Sequence, residues 1–251
     1  MQSVTSSLLS HYPDLLHAFS TKAKGFSIKP FSQNNLAYHV NDDPQTVRKN
    51  HLNYSKYLDY DINRLVHMNQ VHGDKIRIID KDSDLSLVTE CDALITQEKK
   101  IPLMVMVADC IPVLMYDPIN KVIAVVHAGR AGVFNKIIPK TIKTMQKHFN
   151  SEPVNIITVL GPSIHPCCYQ VGQEIYKEAK RLAYDYAIRI QDESYYLDLI
   201  AIVKEQLKEV KVKKQNIEIS KYCTSCNHEL FFSYRAEQNN TGRFSGLLML
   251  K

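Results

Sequence analysis

Short, dense apolar runs separated by polar turns dominate the pattern of the chain. They fall near residues 64–68, 75–79, 92–96, 103–107, 112–116, 122–127, 154–160, 217–219, 230–234 and 243–249, and their length and branched composition predict strands. The last two flank Glu237 to Gly242, which predicts a C-terminal hairpin. Helical periodicity is sparser. Asp42-Asp43-Pro44 reads as a helix start, with acids at the cap and proline in the first turn, followed by Val47, His51, Tyr54 and Leu58 at helical spacing. Pro139 suits the first turn of a second helix carrying Ile142, Met145 and Phe149. Segments 172–186 and 197–210 predict two more, the latter with Ile200, Val203, Leu207 and Val210 on one face. Strands succeed one another through short turns while helices intervene irregularly. The expected class is therefore α+β with mixed sheets rather than a regular βαβ alternation. With no repeat, low-complexity tract or linker, residues 1–251 are expected to form one domain.

Three of the strand-like segments end on chemically active side chains. VMVADC stops on Cys110, VIAVVHAG on His127, and RLVHMNQVHG on His72 before Gly73. If residues 102–129 form a three-stranded antiparallel meander, its first and third strands point the same way and end on one sheet edge. Cys110 and His127 would then stand about 10 Å apart at the backbone, near enough for their side chains to converge. Two imidazoles and a thiolate with an open fourth position suit catalytic zinc, and the same set suits copper. A Cys–His pair can equally act as nucleophile and base without metal. Buried cysteine and loop histidine are also common without any function.

Composition narrows the classes. The 251 residues can bury a sizeable core, and 45% hydrophobic with 23% charged residues is ordinary for a globular protein. The charge of +5 is spread along the chain, without the basic, aromatic-interleaved stripe of a nucleic-acid binder. No apolar run approaches the roughly 20 residues of a membrane helix. The start, MQSVTSSLLSHYPDLL, lacks the basic region and sustained apolar core of a signal peptide, so a cytoplasmic location is expected. The six cysteines should accordingly be reduced. Cys223-Thr-Ser-Cys226 has the spacing of half a zinc ribbon but no second such pair, although His228 or Cys167-Cys168 could complete a site. Unpaired thiols are the expectation there, with Cys223 packed inside.

The chain resembles the laccase-domain family, also described as YfiH-like polyphenol oxidases or peptidoglycan-editing proteins. The likeness rests on VHG at 71–73, ADCIPVLMYDP at 108–118, HAG at 127–129 and GPSIHPCCYQVG at 161–172. NLAYHVNDDPQTVRKN at 35–50 and CT…FFSYR…TGR at 223–243 extend it to both ends. The resemblance implies a four-layer α/β/β/α domain with one metal site whose ligands fall on His72, Cys110 and His127. Three positions depart from the family: Arg130-Ala131-Gly132 stands where Trp-Arg-Gly is usual, Ala236 where a second arginine follows SYR, and His51 in place of arginine.

The same resemblance implies several activities. They are phosphorolysis of adenosine, inosine and methylthioadenosine, adenosine deamination, copper-dependent phenol oxidation, and peptidoglycan-precursor editing. Multicopper oxidases carry His-x-His pairs, and none of the ten histidines here forms one. Zinc-bound water suits deamination, although the HxE and PCxxC signature of zinc deaminases is absent. Phosphorolysis needs cations for phosphate, and Arg130, Arg235 and Arg243 are the candidates, since a planar fork fits that anion. The expectation is a zinc-dependent purine nucleoside phosphorylase with adenosine deaminase activity, copper being the alternative metal. Its partners would be a small nucleoside and phosphate, with neither nucleic acid nor membrane. The alternatives are a peptidoglycan-precursor amidohydrolase using the same metal or Cys110, and a non-enzymatic zinc-stabilised binding module.

Overall fold

The computed structural model describes residues 2–251. Strands are numbered along the chain. One five-stranded sheet has the order β1 (Ser3–Val4), β2 (Leu15–Ser20), β14 (Phe244–Leu250), β6 (Leu103–Val107), β3 (Val66–His67). A six-stranded sheet runs β13 (Ile217–Ile219), β9 (Ile157–Leu160), β7 (Ile111–Asp117), β8 (Val122–Ala128), β5 (Ala93–Thr96), β4 (Ile76–Ile79). Both are mixed: β3 joins β6 in parallel, as β13 joins β9 and β4 joins β5, and the remaining pairs are antiparallel. A small third sheet, β10 (Gln170–Val171), β12 (Ser194–Leu197) and β11 (Ile188–Gln191), lies outside these two.

Alternation along the central strands explains why the two large sheets stack. Leu114 and Tyr116 of β7 and Ile123 and Val125 of β8 point into a core shared with Leu103, Val105 and Val107 of β6 and Phe244 and Leu248 of β14. The opposite side chains of β7 and β8, such as Val113, Met115, Ala124 and Val126, pack against helices α2 (Arg130–Phe134), α3 (Ile137–Phe149) and α5 (Leu199–Glu209). Beyond the five-stranded sheet, Met104, Met106, Leu247 and Met249 meet Tyr54 of α1 (Pro44–Leu58). The order helix, sheet, sheet, helix is the expected α+β four-layer arrangement. Each central strand is covered on both faces, which is why it reads as a continuous apolar run. With α4 (Gln173–Arg181) there are five α-helices among the described residues.

Several expected elements differ. Asp43 caps α1 as expected, accepting from the N–H groups of Gln45 and Thr46. The helix expected over 172–186 ends at Arg181. Residues 230–234 form no strand, so there is no C-terminal hairpin. The reason is occupancy: β14 already pairs with β2 on one edge and β6 on the other. Phe231 and Phe232 are instead buried as plugs on a turn-rich loop, Phe231 N–H donating to the Asn227 carbonyl. The meander over 102–129 is also absent. β7 and β8 are neighbours, but β6 belongs to the other sheet because β14 and β3 occupy both its edges. The chain crosses between the sheets at Ala108-Asp109-Cys110, where Asp109 adopts φ 89°. Strands β1, β2, β10, β11 and β12 lack the dense apolar run that marks the others.

Candidate active site

The crossing between the sheets places Cys110 at the head of β7, beside the end of β8, where Ile111 pairs with Ala128 and Pro112 with His127. His72 approaches from the loop between β3 and β4, in left-handed conformation (φ 58°). Their donor atoms, Cys110 Sγ and one ring nitrogen of each histidine, all lie within 4.8 Å of one another. His72 is exposed, Cys110 half-buried and His127 buried. The three residues singled out in the sequence therefore meet, although through two sheets rather than one. Gly129 makes room for the cluster: a Cβ there would sit 3.1 Å from Cys110 Sγ and 3.2 Å from the His72 ring.

Asp92, which carries no sequence signal beyond lying before a strand, organises two of the three. Fully buried, it accepts from His127 Nδ1 at 2.7 Å and from the N–H groups of His72 (3.0 Å) and Gly73 (2.8 Å). A longer contact of 3.4 Å reaches the Val71 N–H. Burial works against its charge, but His127 and the loop N–H donors outweigh it and hold the carboxyl below its ordinary range. The His127 ring is thereby fixed with Nδ1–H towards Asp92 and Nε2 towards Cys110. Burial alone would disfavour a charged His127, yet the neighbouring thiolate and Asp92 lift it to about 9. Burial likewise opposes the Cys110 thiolate, and His127 and His72 more than compensate, bringing it down to about 6.

The donor set fits a metal. A depressed thiol, a ring nitrogen aimed at the cluster by a carboxylate on its other side and a second imidazole are the ligands and outer partner of a three-residue site with one open position. Little movement is needed, since ligands of a tetrahedral ion stand about 3–4 Å from each other.

These residues form the floor of a cleft of about 540 Å³. All three expected arginines line it, in different states. Arg130 is paired with Glu178 at 2.6 Å. Arg235 spends both terminal nitrogens on carbonyls, Nη1 on Cys168 and Nη2 on Gln170. Arg243 is held through Nη1 by the Thr241 and Gly242 carbonyls and faces the Tyr234 ring. Burial lowers its pKa, a tendency that Cys110 opposes. Residues not foreseen also contribute to the walls: His39, Gln70, Tyr169 and Asp109. Gln70 continues the pairing of β3, donating to the Met106 carbonyl and accepting its N–H, and so carries the chain to His72. Asp109 ties the C-terminal loop down by accepting from Thr224 Oγ1 (2.6 Å) and the Arg235 N–H (2.7 Å). His51 lies elsewhere, on the buried face of α1, with Nε2 bonded to the Leu36 carbonyl.

Cys223 and Cys226 are free thiols, but they do not stand alone. Cys223 is buried as anticipated, but Cys167, Cys168, Cys223 and Cys226 lie with their sulfurs within 4.8 Å of one another. His228 is not among them and bonds the Ser225 carbonyl.

A family model described as multi-copper polyphenol oxidoreductase laccase matches residues 16–251. A purine nucleoside phosphorylase of Corynebacterium glutamicum is 34% identical over 233 residues, covering 92% of this chain and 93% of its own. The purine nucleoside phosphorylase YlmD of Bacillus subtilis is 28% identical over 248 residues, covering 95% and 89%. Among solved structures, the hypothetical protein YfiH of Bacillus licheniformis superposes with a TM-score of 0.90 at 30% identity, covering 94% and 93%. YlmD of Geobacillus stearothermophilus gives 0.89 at 28%, covering 96% and 93%.

Proposed function

The chain belongs to the multi-copper polyphenol oxidoreductase laccase family, and from that membership and the donor set we propose a zinc-dependent purine nucleoside phosphorylase that also deaminates adenosine. The observation carrying this reading is the His72, Cys110 and His127 cluster at the floor of a cleft with arginines in its wall. The names of the relatives support the phosphorylase assignment. Zinc is preferred to copper because the described residues supply one three-ligand cluster with a buried carboxylate behind it, with no array of histidines for several coppers.

When bound, zinc would supply Lewis acidity towards the nucleoside and an activated water for deamination. The residues of the chain do the rest. Asp92 holds His127 and the His72 loop in register. Tyr169 and His39 flank the purine, and the cleft shields the reacting bond from bulk water. Arg243 positions phosphate for attack at the anomeric carbon of the ribose. There a C–O bond forms as the C–N bond breaks, with the electron pair leaving on the base. Arg243 is preferred to Arg235 because one of its terminal nitrogens rather than two is committed to carbonyls. Arg130 is already neutralised by Glu178.

Incubating the protein with adenosine, with and without phosphate, tests the reading. Adenine and ribose 1-phosphate should appear only with phosphate, and inosine in either case. Adenine release at equal rates without phosphate would exclude phosphorolysis.

A second reading has one observation in its favour. Cys110, His127 and Asp92 stand in the order nucleophile, base and orienting carboxylate, which suits acyl transfer and thus a peptidoglycan-precursor amidohydrolase. A trapped Cys110 acyl adduct would select it.

A further inference from the structure

The cluster of Cys167, Cys168, Cys223 and Cys226 adjoins one wall of the cleft, where Cys168 precedes Tyr169 and its carbonyl accepts from Arg235, and it is used by no step above. Two elements meet in it. Cys167 and Cys168 follow His165-Pro166 on the loop leading to β10, and Cys223 and Cys226 occupy a turn closed by Asn227 N–H donating to the Cys223 carbonyl. Cys226 Sγ lies 3.3 Å from Cys168 Sγ and 3.6 Å from Cys167 Sγ, and all four sulfurs fall within 4.8 Å. A tetrahedral ion with metal–sulfur bonds of about 2.3 Å sets its sulfurs about 3.8 Å apart, so the observed spacing needs only slight adjustment. The backbone also prepares the site. The His165 N–H donates to Cys223 Sγ at 3.4 Å. N–H groups aimed at sulfur stabilise thiolate, the form that binds metal.

We propose that these four thiols form a second metal site, a tetrathiolate that binds one zinc ion and is separate from the His72, Cys110 and His127 site. Binding replaces four S–H bonds with four S–Zn bonds and releases the thiol protons to solvent, without change of oxidation state. Four protein ligands leave no open position, so the role is structural. What the ion clamps is specific. The Cys168 and Gln170 carbonyls hold the Arg235 guanidinium, Thr224 on the opposite loop bonds Asp109, and Tyr169 lines the cleft. The second ion thus braces one wall of the cleft through backbone geometry. Soft thiolate ligands in tetrahedral array favour zinc over hard cations.

The test counts metal in the full-length protein purified under reducing conditions. Wild type should hold about two zinc ions per chain, and Cys110→Ala and Cys226→Ser about one each. Cobalt loaded into Cys110→Ala should show the intense thiolate-to-cobalt charge transfer of four sulfurs. X-ray absorption at the zinc edge of wild type supplies a reading independent of any variant's folding, and should give a sulfur-rich average, four sulfurs at one ion and one at the other. A single zinc that vanishes in Cys110→Ala overturns the proposal. So does a Cys168–Cys226 disulfide in the freshly reduced and purified protein, found by non-reducing peptide mapping, or an absorption spectrum fitted by one sulfur per zinc.

Discussion

Replacing Asp92 with asparagine should weaken zinc binding at His72, Cys110 and His127 by 10- to 100-fold, on the order of what loss of a carboxylate behind a ligating histidine costs. The geometry explains why so small a change matters. One carboxylate oxygen serves His127 Nδ1 and the His72 N–H, and the other serves the Gly73 N–H with the longer contact to Val71. An amide can offer an acceptor on one side only. With its carbonyl kept towards His127, its NH2 opposes the Gly73 N–H, and the loop carrying His72 must move. With the amide flipped, NH2 opposes His127 Nδ1–H, and the ring loses the partner that fixes its tautomer. Either orientation removes at least one charge-assisted hydrogen bond at a fully buried site, about 2–4 kcal/mol of stability with the desolvation of the orphaned donor included. Zinc affinity is read by competition with a chromogenic chelator. Urea unfolding of the metal-free protein reads stability separately. A variant that loses stability but binds zinc within twofold of wild type would show that Asp92 braces a loop and does not orient a ligand.

Five other outcomes are expected. Cys110→Ala should lose the metal at this site while keeping the fold by circular dichroism, and acidification should release zinc from wild type because the ligands must be deprotonated. Gly132→Ala should lower zinc affinity despite alanine's better helix propensity, because a Cβ would lie 2.7 Å from the Gly73 carbonyl oxygen beside His72; unchanged affinity by chelator competition would refute the clash. Arg243→Ala should raise the KM for phosphate about tenfold or more while zinc content and adenosine deamination stay near wild type, consistent with loss of one charged hydrogen-bonding group. His51 is held neutral, at about 4 rather than 6.5, mainly by burial, so its contribution is fully present above pH 6.5 and lost as pH falls towards 4. That gap corresponds to about 3 kcal/mol, and the rise of unfolding free energy between pH 4 and 6.5 should flatten in His51→Leu.

What could be read from the sequence, and what could not, divides along physical lines. β6, β7 and β8 have boundaries within a residue or two of their apolar runs, since strands covered on both faces must be apolar throughout. β2 escaped notice because LLHAFS buries His17 and Ser20 alongside its apolar residues, and burial of polar groups does not show in a hydropathy pattern. The small outer sheet, β10 to β12, is half-exposed and carries no apolar run at all. Residues 230–234 misled in the opposite direction: LFFSY is apolar because Phe231 and Phe232 fill the inter-sheet core, a packing role that needs no strand. His72, Cys110 and His127 were legible because their residue types are chemically distinctive. Asp92 was not, since nothing in CDALIT marks an acid that will be wholly buried.

The failed meander shows more about the site than its successful elements do. Had β6, β7 and β8 been neighbours in one sheet, Cys110 and His127 would project from a single edge, open to solvent on both sides. In the observed topology β6 and β7 belong to different sheets, and the link between them is a three-residue crossing at the seam of the molecule. A crossing so short requires a sharp reversal, which Asp109 provides at φ 89°, at a strain of order 1–3 kcal/mol for a non-glycine residue. The Asp109 carboxylate offsets that strain by accepting from Thr224 and Arg235, and its carbonyl accepts from the Ile164 N–H. The residue that turns the chain thus anchors the loops that wall the cleft, while its neighbour Cys110 lies in the cleft floor. Asp109→Gly would relieve the backbone but cut both side-chain ties. The seam therefore explains why a thiol at the end of a core strand can be half-exposed while its partner His127, at the end of the next strand but one, is buried.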